Sequence, residues 1–111
     1  MPIKIATVRD VQSAEYLKSR ALVEQDPSVE LALWQEARQL APDSATLHSH
    51  EAFALLNQGR FDEVVRVLGP ALVRWPRMVH IANVLGVALC ELGYYKTSAR
   101  LFEHVLRLDP D

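Results

Sequence analysis

Residues 79–111 read VHIANVLGVALCELGYYKTSARLFEHVLRLDPD, and the fold follows from how this stretch is punctuated. Ala82, Leu85, Gly86 and Leu89 come before Gly93; Tyr95, Ser98, Phe102 and Val105 come after it, and Leu106-Arg107-Leu108-Asp109-Pro110 closes the stretch. Moved back 34 residues, it falls on residues 45–77 with six identities. Gly93 meets Gly59, Pro110 meets Pro76, Ala88 meets Ala54, Leu89 meets Leu55, Arg100 meets Arg66 and Leu106 meets Leu72. The matches are few, but they sit at turns and apolar positions. One further step of 34 takes Pro76 to Pro42, so three prolines each end an apolar run. A fixed period of this length marks a chain built from stacked supersecondary units.

Within each unit the period is helical. Leu47, Ala54 and Leu55, then Val64, Val65, Leu68 and Leu72, recur at three- and four-residue steps, and two-residue alternation is absent. Asp43-Ser44 is suited to cap a helix opening at Ala45, and Asp26-Pro27-Ser28 supplies a cap and a first-turn proline. Asn57-Gln58-Gly59-Arg60 and Glu91-Leu92-Gly93-Tyr94 read as helix ends, where glycine enters the left-handed region at little cost. These signals predict helices near 8–24, 28–40, 45–57, 62–74, 79–91 and 96–108. They form three antiparallel hairpins behind an extension over 1–10.

This pattern resembles the tetratricopeptide repeat, in which W-x2-L-G-x2-Y is followed by A-x3-F and P over 34 residues. Residues 79–111 carry it most fully. Residues 45–78 follow with His48, Ala52, Leu55, Gly59, Phe61, Val64, Leu68, Ala71 and Pro76. Residues 11–44 keep Leu17, Ala21, Trp34, Ala37 and Pro42 but have Gln25 in place of the inter-helix glycine. The resemblance implies an all-α fold of three tandem helix-turn-helix repeats, stacked as a right-handed α-solenoid in a single domain over residues 1–111. It further implies a concave groove lined by the first helix of each hairpin. The lining would be Gln12, Glu15, Tyr16 and Ser19, then Ser49, His50, Phe53 and Leu56, then Asn83, Val84, Val87 and Cys90. No Lys or Arg is expected in that groove, which argues against a clamp for a partner's terminal carboxylate. An apolar segment or amphipathic helix is the better-matched ligand.

Three departures from the pattern carry expectations of their own. Glu51 and His48 stand where apolar residues belong, three apart on one helix face, and a local His48–Glu51 pair or a solvent-facing rotation would accommodate them. The other reading is a polar site between the first two units. Gly69-Pro70 falls inside the fourth helix, where proline removes the bond to the Arg66 carbonyl and is expected to kink or shorten it. Trp34, Leu68 and Phe102 occupy equivalent large slots and are expected in the core, with Ala52, Ala54, Gly86 and Ala88 letting helices approach.

Composition narrows function by exclusion. Half of the 111 residues are hydrophobic, 23% are charged and the net charge is -2, with no basic run to neutralise a row of phosphates, so nucleic acid is not expected as a partner. One cysteine, Cys90, excludes an internal disulfide framework and fits a reducing compartment. The first ten residues lack the apolar core of a signal peptide, and Met78 to Cys90 is too short to span a bilayer, so a cytoplasmic location without membrane contact is expected. No nucleophile-elbow, Gly-rich phosphate loop or metalloprotease motif is present, and Cys90 reads as a buried or half-buried inert thiol. His50 and His80 could face each other from adjacent first helices. His48 and His50, by contrast, point about 200° apart on a helix and cannot share an ion. No cofactor, metal or catalysis is therefore expected. The function class is binding of a protein or peptide partner. The alternatives are self-assembly through the uncapped last unit, and a docking segment of a larger enzyme.

Overall fold

The computed structural model describes residues 13–109. Six helices and no strand are found among them: α1 (Ala14–Val23), α2 (Pro27–Leu40), α3 (Ala45–Asn57), α4 (Phe61–Arg74), α5 (Val79–Glu91) and α6 (Tyr95–Leu108). The predicted bounds hold within one residue for α2 to α6. For α1 the expected start near residue 8 lies outside the described residues.

Local chemistry starts and stops these helices where the sequence says. The Asp26 carboxylate accepts from the Ser28 amide at 2.9 Å, with Pro27 as first helical residue, and the Ser44 hydroxyl accepts from the Leu47 amide at 3.2 Å. Gly59 (φ 71°) and Gly93 (φ 92°) take the left-handed conformation after α3 and α5. The first hairpin has Gln25 at this point and solves the turn differently. No non-glycine residue has positive φ among the described residues, and the chain reverses through extended Glu24 and Asp26 into the capped start of α2.

Packing is that of a stack. α1 packs on α2, α3 on α4 and α5 on α6, and each second helix also receives the first helix of the next hairpin. Leu55, Val64, Leu68 and Ile81 are fully buried in the resulting seam. At Gly86 a Cβ would lie 2.8 Å from the Phe102 ring, and the Ser98 hydroxyl donates to the Gly86 carbonyl at 2.7 Å, so small residues at both positions bring α5 and α6 together. The stack is irregular in one respect. First helices α3 and α5 touch, whereas α1 and α3 make no close backbone approach.

Two expectations are corrected here, and of a third, the kink or shortening of the fourth helix, the shortening. Glu51 pairs neither with His48 nor with water: it is 2% exposed and forms an ion pair with Arg38 of α2, one guanidinium nitrogen lying 3.3 Å from Oε1, so the polar contact joins the first two units, as the other reading had it. His48 instead has Nδ1 2.8 Å from the Ser44 carbonyl and its ring 5.2 Å from that of Trp75. A buried carboxylate needs a full cation with several donors, which the guanidinium provides and a half-buried imidazole bound to its own helix start does not. Nor is α4 shortened by Pro70; it runs unbroken from Phe61 to Arg74. Gly69 brings no Cβ against the proline ring, and Arg66 and Pro70 are both exposed, so the freed carbonyl faces water. Finally, Trp34 and Leu68 are core residues but Phe102 is only half-buried, because no described helix follows α6 to cover it.

Candidate functional site

The missing approach of α1 to α3 leaves a cleft of about 340 Å³, lined by Leu22, Glu30, Trp34, His50, Phe53, Ala54 and His80. Its walls come from all three first helices and from α2. Trp34 is almost wholly buried, and His50 lies flat on it, centroids 4.3 Å apart and planes within 5°. This stack forms the floor. Phe53 leans over His80 with centroids 6.2 Å apart, and Leu22 stands 60% exposed at the rim.

Burial holds His50 below the usual imidazole pKa of 6.5, and repulsion from nearby Lys18 and His80 acts in the same direction. The ring is therefore neutral at pH 7 and offers an aromatic face rather than a charge. Glu30 is the one carboxylate on the lining.

The sequence-predicted groove residues divide by helix face. His50 and Phe53 on α3 share the cleft; Tyr16, Ser19 and Val87 are exposed and Asn83 half-buried, on the first helices beside it, and Cys90 is exposed too, which corrects the expected burial of its thiol: it lies on the outward stripe of α5, near that helix's end. Ser19 closes its hydroxyl onto the Glu15 carbonyl at 2.9 Å. Ser49 and Val84 do not belong to a surface. They are 5% and 4% exposed, because α3 and α5 each pack against three helices and leave only a narrow outward stripe. Leu56 is half-buried against the core. Gln12 lies outside the described residues. A basic residue also stands closer than expected, since Lys18 acts electrostatically on His50.

Sequence reasoning missed Leu22, Glu30, Trp34, Ala54 and His80 as lining: Glu30 and Trp34 lie on the second helix α2, Trp34 and Ala54 were read as packing residues, and Leu22 and His80 fell outside the helix faces assigned to the groove. The signal was available at residue 30. One period on stand Val64 and Ser98, both buried, so a glutamate there marks a unit that does not close like the others.

The described residues hold no group of three or more His, Cys, Asp or Glu suited to a metal ion, and no helix long and apolar enough to cross a membrane. No protein-family model matches the chain, and no curated protein matches its sequence. Solved structures do. The TPR domain of Arabidopsis OM64 superposes with a TM-score of 0.83 at 23% identity, over 90% of this chain and 85% of that one. The fold is that of a tetratricopeptide repeat domain. A point mutant of MamA superposes with a TM-score of 0.77 at 19% identity, over 86% of this chain and 72% of that one. The tetratricopeptide resemblance read from Pro42, Pro76 and Pro110 therefore holds at the level of fold.

Proposed function

We propose that this chain is a non-catalytic interaction module of the cytoplasm that holds a segment of a partner protein on the face built by α1, α3 and α5. The observation that carries the reading is the exposure of Phe53, 46%, at the mouth of the cleft, with Val87 at 39% and Tyr16 at 37% on the neighbouring first helices. Large apolar side chains gathered on one face are commonly an interface waiting for its partner. His50, Asn83, Ser19 and Cys90 flank them with neutral groups.

Each apolar anchor buried there contributes roughly 1.5 to 3 kcal/mol, so two or three give micromolar binding after association costs. The test begins with a partner recovered by cross-linking in native lysate, identified and purified. Its affinity is then measured for folded Phe53→Ala and Val87→Ala proteins, each expected to bind at least ten-fold more weakly. Unchanged affinity in both removes the partner from this face.

One observation favours a second reading, self-assembly. Ser98 is the only buried residue of α6, whose Leu106 is 62% exposed although its counterpart Leu72 is half-covered by packing within the stack. Sedimentation decides it: this reading expects dimers or larger species at high micromolar concentration, and a clean monomer contradicts it.

A further inference from the structure

Glu30 is half-buried on the first turn of α2 and lines the cleft, yet its carboxylate has neither a cation nor a hydrogen-bond donor among the described residues. The corresponding Val64 and Ser98 are closed into their own hairpins. Unlike Glu51, which is buried and satisfied by Arg38, the half-buried Glu30 carboxylate stays within reach of water and faces an opening, where it is available to a cation from outside. The surfaces around that opening are flat and aromatic. The neutral ring of His50 lies on Trp34, and Phe53 and His80 stand beside it.

We propose that this cleft receives an arginine side chain of the partner, with its guanidinium on the Glu30 carboxylate and its methylenes against Phe53 and Leu22. The proposal rests on the partner-face reading above and adds the chemistry of one anchor. Volume suits it, since about 340 Å³ admits one long side chain and not a helix. Charge suits it as well, because a guanidinium supplies the donors that Glu30 lacks. Arginine is favoured over lysine because its planar head stacks on ring faces and grips a carboxylate with two parallel bonds. Lys18, which approaches His50 from α1, opposes the incoming cation and sets an upper limit on affinity.

The experiment is a nuclear magnetic resonance titration of the full chain with N-acetyl-arginine amide and, separately, N-acetyl-leucine amide. It reads the Trp34 indole and the His50 and Phe53 amides. The arginine amide is expected to shift these signals saturably and the leucine amide to bind at least ten-fold more weakly. Glu30→Gln should weaken the arginine amide at least ten-fold while leaving signals of α6 in place, and Lys18→Met should strengthen it two- to five-fold. Equal or tighter binding of the leucine amide, an unchanged arginine affinity in Glu30→Gln, or no shift with either compound overturns the proposal. Any of these results leaves the partner face standing if Phe53→Ala still weakens the purified partner. Loss of both effects removes the face itself.

Discussion

At the scale of single residues, the ion pair of Arg38 with Glu51 carries the largest predicted energy. Arg38→Met strands a carboxylate that is 2% exposed, and unpairing a buried charge costs about 3 to 5 kcal/mol. The double variant Arg38→Met/Glu51→Leu removes charge and counter-charge together and is expected to recover most of that loss in urea denaturation. A small effect of the single substitution would show that Glu51 reaches water. His50 makes a prediction in pH. Its folded pKa lies below 6.5, so on acidification the unfolded chain binds the proton first. This part of the stability is complete above pH 6.5 and falls away as the pH drops from 6.5 towards the lowered folded value. The urea midpoint should therefore fall between pH 7.5 and 5.5, and by less in His50→Gln. Equal slopes in the two proteins would contradict the burial of that ring. Neither residue's partner was legible beforehand, although a polar site between the first two units was one of the readings for Glu51. Arg38 and Glu51 are 13 apart on different helices, and a reading of spacing within one helix reaches only three or four residues.

At the scale of elements, the caps and turns were legible because each has a local cause. Ser44, Asp26-Pro27, Gly59 and Gly93 act within three residues of themselves, and all four perform as read. What a neighbour covers is not local, and there the sequence misled. Phe102 and Leu68 occupy the same register, yet α5 packs on α4 while no described helix packs on the outer side of α6. Leu68→Ala is thus predicted to cost about 2 to 5 kcal/mol, and Phe102→Ala less despite the larger side chain, since its ring is only partly withdrawn from water. Thermal unfolding of the two variants checks the order, and a greater loss from Phe102→Ala would mean that α6 is covered in solution.

At the scale of the whole molecule, stability is a sum of hairpins and the seams between them, so each seam can differ. The seam of α3 with α5 is closed; α1 stands off from α3, and the cleft opens there. A repeat count alone foretold the stack, but which seam stands open shows only when the helices are placed. We propose that a partner docks on the face holding Phe53. The most direct measurement is the affinity of the purified partner for the native chain, for Phe53→Ala and for Val73→Ala, the last an 84% exposed apolar residue on the second helix of the same hairpin. The account predicts at least a ten-fold loss with Phe53→Ala and no change with Val73→Ala; loss with Val73→Ala and none with Phe53→Ala would contradict it.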